Sequence, residues 1–129
     1  MLDQSIRDLA RAANFGTISV HLPDGSIATH VMWVDADDEH MLINTEVHRA
    51  KYTSMVADPR VTVVVWDAAN PYRYGEVRGR MVGEVRGQEA RDHIDALSRK
   101  YMGKDYGSPI QSERVIVKIA PDRQRGNNL

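Results

Sequence analysis

One stretch of eight residues limits the possible folds of this chain more than any other. From Arg60 to Asp67 the sequence reads Arg-Val-Thr-Val-Val-Val-Trp-Asp, so its interior is almost entirely β-branched or aromatic. β-Branched side chains lose rotamer freedom in a helix and pack well on a pleated surface. Asp58 and Pro59 precede the run and end any helix that comes before it. We therefore predict a central strand at 60–67, which needs a partner strand on each side.

Further stretches alternate apolar and polar residues in the way that half-buried strands do. They are Thr17–Leu22, Ile27–Val34, His40–Thr45 and Tyr72–Arg86. The first two flank a Pro-Asp-Gly-Ser turn and predict a hairpin, which the third run extends to a three-strand meander. A last strand is predicted at Arg114–Ala120, and Pro121 is expected to stop it.

Apolar residues recur at helical spacing in three segments. These segments are residues 2–14, Arg49–Asp58 and Gln88–Lys100, with Met102 and Gly103 closing the last one. Strands joined mostly by hairpins, together with three helices, predict a mainly β protein whose strands form a closed antiparallel barrel decorated by helices. At 129 residues we expect one domain over 1–129, with the barrel core at 16–123.

The composition excludes several classes of function. A net charge of −1 provides no overall field that would attract nucleic acid or a membrane surface. The chain has no cysteine and its five histidines are not spaced as ligands, so we predict neither a disulfide nor a metal site. Glycine-rich nucleotide loops and a nucleophile-elbow serine are absent. Because no leader or long apolar run occurs, we expect a soluble, cytoplasmic protein.

The segment Met41–Lys51 contains a candidate anion site. An apolar run ends at Thr45, and a helix carrying Arg49 and Lys51 begins within a few residues. Backbone N–H groups at a helix start, a hydroxyl and two cations together suit a phosphate or carboxylate. The alternative is an ordinary helix whose Arg and Lys side chains face water.

Aromatic residues lie at or near the predicted strand ends. Trp33 and Trp66 close two strands, and Tyr72 and Tyr74 follow in the next loop and strand. Aromatic side chains at a barrel rim can border a slot for a planar ring, but they can equally plug the barrel or face a partner subunit. The sequence leaves both interpretations open.

Several motifs occur in an order and spacing that are specific when taken together. They are Thr45 with Lys51, Asp58-Pro59-Arg60-Val61, Asn70-Pro71-Tyr72-Arg73-Tyr74, Glu76-Val77-Arg78-Gly79-Arg80, Arg99-Lys100-Tyr101-Met102-Gly103, and Arg114 before the last strand. Through them, the chain from Gly16 to Arg123 resembles the flavin-binding split-barrel superfamily that includes pyridoxamine 5′-phosphate oxidase. The later motifs are most similar to the branch that uses the deazaflavin coenzyme F420.

This resemblance implies a six-stranded antiparallel split β-barrel with flanking helices, which forms a homodimer with cofactor grooves at the subunit interface. Thr45 and Lys51 correspond to residues that contact the cofactor phosphate in relatives, and Thr29 to Trp33 line the ring. The cofactor-binding residues implied in this chain are Thr29, Val31, Met32, Trp33, Thr45, His48, Arg49, Ala50, Lys51, Trp66 and Tyr72. No catalytic side chain is assigned, because the cofactor itself supplies the hydride.

The function that the resemblance implies is hydride transfer from reduced F420 to a small conjugated substrate. One alternative is an FMN-dependent oxidoreductase similar to pyridoxamine 5′-phosphate oxidase, although Arg49-Ala50-Lys51 stands where the oxidase pattern has Ser-Arg-Lys. A second alternative is a barrel that binds a cofactor or haem without turnover. The expected partners are a second copy of the chain and a small-molecule substrate, with no nucleic acid and no membrane.

Overall fold

The computed structural model describes residues 1–129 and is mainly β, with seven strands in one sheet and three helices. The strands are β1 (Phe15–His21), β2 (Ile27–Trp33), β3 (Asp35–Ala36), β4 (Met41–Glu46), β5 (Arg60–Asp67), β6 (Asn70–Arg86) and β7 (Arg114–Asn127). The helices are α1 (Gln4–Arg11), α2 (Ala50–Ala57) and α3 (Gln88–Met102). A split barrel with flanking helices is confirmed, and it carries one short strand, β3, more than predicted.

The sheet is antiparallel throughout and has the order β2-β1-β5-β6-β7-β4-β3. Its two edge strands, β2 and β3, are consecutive in the chain and are joined by Val34 alone. A single residue can join the two edges only if the sheet curls until they meet. The hydrogen-bond ladder stays open there, so the barrel is split and not closed as the strand pattern alone predicted.

The central strand and the first hairpin are confirmed. β5 pairs with β1 on one side and β6 on the other, and β1 pairs with β2 across the turn at Gly25. The predicted three-strand meander is wrong, because β4 pairs with β7 and β3 and not with β2. Ile43 faces Val117 in that pairing, so the inward side of β4 is buried against the β-branched side of β7.

The last strand does not stop at Pro121 but continues to Asn127. Pro121 lies opposite Gly79, where the register between β6 and β7 shifts. A Cβ on Gly79 would lie 1.9 Å from the carbonyl oxygen of Ala120, so only glycine allows this approach. At such a bulge a proline costs no ladder hydrogen bond, which explains why β7 tolerates it.

The core fills the inside of the curled sheet. Side chains alternate along β5, where Val61, Val63 and Val65 point inward and are buried. α1 closes one part of the core with Ile6 and Leu9, and it is shorter than the predicted 2–14 because Ala12 is already extended. α3 packs on the sheet against β4, β6 and β7. None of the helices has the length and apolar character required to cross a bilayer.

Candidate cofactor site

An open cleft of about 310 Å³ lies between β2, the end of β4, α2 and α3. Its lining combines apolar and aromatic side chains with three cations and one amide. The lining residues are Phe15, Val31, Met32, Trp33, Asn44, Arg49, Lys51, Ile94, Leu97, Tyr106 and Arg114. A flat apolar wall beside concentrated positive charge suits a planar ring that carries an anionic arm.

The positive charge of the cleft comes from two neighbouring residues of one helix start and from a third residue distant in sequence. Arg49 is the N-cap of α2, Lys51 lies in the first turn of that helix, and Arg114 begins β7. Burial lowers the pKa of Lys51, and the neighbouring charges of Arg49 and Arg114 lower it further. Lys51 forms no ion pair with any carboxylate, whereas Arg49 and Arg114 both reach Glu46. The cleft therefore has an uncompensated positive charge that an anion would neutralise.

Glu46 is the buried carboxylate that pairs with Arg49 and Arg114. Its carboxylate accepts backbone hydrogen bonds from Gln111 at 2.7 Å and Ser112 at 2.8 Å, and lies 3.4 Å from Arg49 Nη2 and 3.5 Å from Arg114 Nη1. Burial by itself raises the pKa of Glu46, but these hydrogen bonds and charges outweigh it and the pKa is lowered. One ionised carboxylate thus lies beside two arginines, and with Lys51 as a third cation the cleft keeps a net positive charge.

Two buried polar atoms, one at the end of β4 and one at the start of β7, have no hydrogen-bond partner. They are Oγ1 of Thr45, at the end of β4, and Nη1 of Arg114, whose approach to Glu46 lacks hydrogen-bond geometry. Unpaired buried polar atoms are uncommon in folded proteins and often mark a place where a ligand or ion belongs. Thr45 shares the inward side of β4 with the core residues Met41 and Ile43, so of the two only Arg114 belongs to the lining of the cleft, where its unpaired nitrogen agrees with an anion site.

The aromatic wall is a cluster assembled from β1, β2, α3 and the following loop. Trp33 stacks on Tyr101 with ring centroids 5.3 Å apart and planes 5° apart, and it meets the edge of Tyr106 at 6.3 Å. The ring centroid of Phe15 lies 5.4 Å from that of Tyr101. The Tyr101 hydroxyl donates to the carbonyl of Asn14, and burial together with the charge of Asp35 raises its pKa to about 12. A neutral, fixed phenol therefore holds the cleft wall in place.

The structure brings together most of the residues predicted from the motif around β2 and α2. Val31, Met32, Trp33, Arg49 and Lys51 line the cleft. An adjoining cleft of about 390 Å³ is lined by His30, Val31, Arg49, Ala50 and Lys51, so Ala50 also borders the site. Thr45 is buried on the core-facing side of β4 and is not part of the lining of the cleft.

Four predicted residues lie outside the cleft of one chain. The Thr29 hydroxyl is 2.8 Å from that of Ser19 on the outward side of the sheet, and His48 Nδ1 is 2.5 Å from the Ser112 hydroxyl. Trp66 lines a separate outer pocket, and the Tyr72 side chain is 75% exposed. Contact of any of the predicted residues with a cofactor stays a prediction.

Sequence reasoning missed several residues that line the cleft. They are Phe15, Asn44, Ile94, Leu97, Tyr106 and Arg114. Arg114 belongs to a sequence motif, but no role followed from it because its partner Asn44 is 70 positions away. The one available signal was a charged residue at the start of an otherwise apolar strand.

A curled antiparallel sheet beside a cationic, aromatic-walled cleft defines a split barrel of the flavin-binding type. A family model described as "Pyridoxamine 5′-phosphate oxidase" matches residues 2–128, so the chain belongs to that family. No curated protein matches the chain in sequence.

Solved structures agree with this family. A protein described as an F420 reductase is 27% identical, with a TM-score of 0.81, 96% of this chain covered and 98% of that chain. A conserved hypothetical protein from Mycobacterium tuberculosis is 24% identical, with a TM-score of 0.72 and coverages of 98% and 84%. An FAD-binding protein from Mesorhizobium loti is 17% identical, with a TM-score of 0.66 and coverages of 96% and 92%. The last two show the shared fold alone.

Proposed function

We propose that this protein is an F420H2-dependent reductase that delivers a hydride from the deazaflavin to a small conjugated substrate. The observation that carries the proposal is Lys51, which lies half-buried between Arg49 and Arg114 without a carboxylate partner, beside a flat aromatic wall. The F420 reductase, similar over nearly the full length of both chains, supports the choice of deazaflavin.

The residues of the cleft fit the two parts of such a cofactor. Arg49, Lys51 and Arg114 would hold the phosphate and carboxylates of its anionic arm. Trp33, with Val31 and Met32 from the same strand, would border the ring. When bound, the reduced deazaflavin supplies the hydride.

The chain's own contribution is to bind, orient and exclude water. Rigid aromatic walls and cations held by Glu46 restrict how a ring and its arm can lie, which places the reacting carbons close together without a catalytic side chain. Ile94 and Leu97 add apolar lining to the slot, which favours contact with a conjugated acceptor.

The site is completed, in this proposal, by a second copy of the chain. Register places Val31 of β2, Thr17 of β1 and Val64 of β5 in one outward row, which runs from the cleft to the outer pocket that contains Trp66 and Tyr74. This outward row carries Val31 and Val64 on either side of Thr17, and a subunit covering it would also reach the edge of the cleft. Trp66 would then lie near the cofactor groove of the dimer.

FMN is the second candidate cofactor. FMN also carries a phosphate, so the same three cations would bind it, and an FMN enzyme would be yellow as purified and would react with oxygen. A barrel that binds a cofactor without turnover is distinguished by tight binding with no reduction of any acceptor.

The deciding experiment is a side-by-side fluorescence titration of the purified protein with F420 and with FMN. We expect F420 to bind more tightly, and Lys51→Met to weaken that binding about tenfold to a hundredfold, as losing a hydrogen bond to a charged group does. Lys104→Met, in an exposed loop outside the cleft, is the matched control and should bind as the unchanged protein does. If Lys51→Met binds F420 as tightly as the unchanged protein does, Lys51 is not part of an anion site. If the unchanged protein binds FMN more tightly than F420, FMN is the cofactor.

A further inference from the structure

A chain of polar side chains runs behind the cleft and ends at Arg114. Arg114 Nε donates to Asn44 Oδ1 at 2.8 Å, and the Asn44 amide nitrogen lies 2.9 Å from the carbonyl of Ala90 and 3.0 Å from His93 Nδ1. His93 Nε2 lies 2.9 Å from Asp35 Oδ2. The chain thus links β7, β4, α3 and β3, and only its first two members line the cleft.

The two ends of this chain determine the direction of every hydrogen bond in it. An arginine has donors only, so the Asn44 atom facing Arg114 must be the oxygen, and the amide nitrogen must face His93. His93 Nδ1 must then be an unprotonated acceptor, which leaves the proton on Nε2. That proton is donated to Asp35, which accepts it as a carboxylate.

Asp35 is suited to this role by its surroundings. Burial raises its pKa, but the hydrogen bond from His93, the backbone N–H of Ala36 and the charge of Lys100 outweigh burial, and the pKa is lowered. Its other oxygen, Oδ1, accepts the Ala36 N–H at 2.9 Å, so the carboxylate cannot rotate freely. His93 is largely buried, with 12% of its side chain exposed.

We propose that Asp35 and His93 are positioning residues, which through Asn44 hold the Arg114 guanidinium in the orientation that receives the anionic arm of the cofactor. The inference rests on the proposed function for its binding measurement, but the arrangement of the hydrogen bonds can be measured without any cofactor. It resembles the outer shells of metal sites, where a carboxylate fixes the tautomer of a histidine that itself touches the functional group.

Asp35→Asn tests the proposal because it keeps the shape and reverses the polarity. The new amide would still accept from Ala36 through its oxygen, so its NH2 group would face His93 Nε2 and move the imidazole proton to Nδ1. Asn44 must then turn its oxygen toward His93, which leaves Arg114 Nε facing a donor. Charge alone predicts the opposite, since removing a carboxylate near a cationic cleft strengthens anion binding.

The experiment compares Asp35→Asn with Asp37→Asn, which changes a second aspartate–histidine pair, Asp37 and His40, 3.1 Å apart and outside the cleft. Nitrogen-detected NMR should find His93 of the unchanged protein as the neutral Nε2–H tautomer, with slow hydrogen exchange at Arg114 Nε. We expect Asp35→Asn to weaken F420 binding about tenfold, the loss of one hydrogen bond to a charged group, while Asp37→Asn leaves it unchanged.

Unchanged or tighter binding by Asp35→Asn would overturn the proposal. So would a charged His93, or its Nδ1–H tautomer, in the unchanged protein, and that measurement requires no variant to fold. If the unchanged protein binds neither F420 nor FMN, the proposed function fails, and the NMR result still decides whether the hydrogen-bond chain exists.

Discussion

Glu46 shows how one buried residue can organise a charged site. Its carboxylate is 2% exposed, yet it stays ionised because backbone N–H groups of Gln111 and Ser112 and two arginines surround it. The loop that carries Gln111 and the helix that carries Arg49 are therefore joined by a single side chain. Removing the charge of Glu46 would therefore weaken the attachment of both the loop and the helix.

Glu46→Gln should therefore change stability in a pH-dependent way. The folded pKa of Glu46 is lowered, so its stabilisation is present above its ordinary pKa near 4.5 and is lost as pH falls through the folded value. We expect the variant to lose about 3 kcal/mol at pH 7, as when a buried pair is broken, and to converge with the unchanged protein in acid. Urea unfolding from pH 7 to pH 3 measures this, with the exposed Glu39→Gln as control. A constant difference at every pH would contradict it.

We expect the half-buried charge of Lys51 to lower the stability of the folded protein when no ligand is bound. Its folded pKa lies below the ordinary 10.5, so the charged form is disfavoured in the folded protein. Stability is then lowest below the folded pKa and rises as pH passes through it toward 10.5. Without ligand, we expect Lys51→Met to stabilise the protein by about 1 kcal/mol, as single stabilising substitutions at functional sites do.

The measurement is the thermal midpoint of the ligand-free protein at pH 7, compared with Lys104→Met in the exposed loop. The control should stay within about 0.5 kcal/mol of the unchanged protein. If the thermal midpoint of Lys51→Met lies below that of the unchanged protein, the lysine stabilises the ligand-free fold, which would contradict this prediction.

At this residue scale, the sequence predicted the half of the site that is local. Arg49, Lys51 and Trp33 lie in two short segments whose helix start and strand end are visible in the residue pattern. Arg114 and Tyr106 reach the cleft only through the pairing of β4 with β7 and the packing of α3, which no local pattern specifies. The missed residues are those that tertiary structure brings in.

The two long strands, β6 and β7, bend where the register between them shifts. The shift beside Gly79 lets β7 pass Pro121 and pair with the first half of β6, so one strand contributes to both halves of the barrel. Such a bend needs close backbone approach, which a side chain at position 79 would prevent.

Gly79→Ala should accordingly destabilise the protein by about 3 kcal/mol, at the upper end of overpacking costs, because the new Cβ would meet the backbone of Ala120. Gly83→Ala, on the same strand with its nearest atom 4.0 Å away, should cost far less. Chemical denaturation of the two variants provides the comparison. Equal costs would show that the bulge can move.

Local sequence patterns predicted which residues form each strand better than they predicted which strands pair with each other. β5 and the β1–β2 hairpin are visible because β-branched runs and a Pro-Asp-Gly turn specify them directly. The end of β7 was wrong because a bulge depends on the opposite strand, and β3 was missed because its two residues are too few for a pattern. The partner of β4 depends on how the whole sheet curls.

The end of α3 fastens the place where the sheet edges meet. Lys100 Nζ donates to the carbonyls of Val34 at 2.7 Å and Ala10 at 3.0 Å, and the Val34 N–H donates to the Tyr101 hydroxyl at 3.2 Å. Val34 is fully buried, so its backbone groups depend on these partners.

Tyr101→Phe removes that hydroxyl and should cost about 1–3 kcal/mol, because the buried Val34 N–H and the Asn14 carbonyl are left unsatisfied. Tyr72→Phe, with an exposed hydroxyl that makes no hydrogen bond, is the matched control and should change stability by less than about 0.5 kcal/mol. Both values come from urea unfolding. Similar small effects in the two variants would mean that the hydroxyl does not hold the edges.

The whole molecule presents one outward face that a single chain leaves open. Val64 and Trp66 lie on it, and Val31 at its edge, 67% exposed, borders the cofactor cleft. In the proposed dimer this face is covered, so assembly and cofactor binding belong to the same surface.

Val64→Glu should therefore convert the proposed dimer to a monomer and weaken F420 binding at least tenfold, because a buried unpaired carboxylate costs several kcal/mol. Val82→Glu, at an exposed position of β6 outside this face, should leave both unchanged. Sedimentation velocity reports the oligomeric state, and titration reports the binding. A dimer that persists in Val64→Glu would place the interface elsewhere.

The junction at Val34 ties ligand binding to the integrity of the barrel. On one side of it Trp33 stacks on Tyr101, and on the other Asp35 anchors His93. A ring that packs against Trp33 and holds it on Tyr101 would also strengthen the contacts that join the two edge strands, β2 and β3. Binding of a ring in the cleft should then increase the resistance of the barrel to unfolding at the junction between β2 and β3.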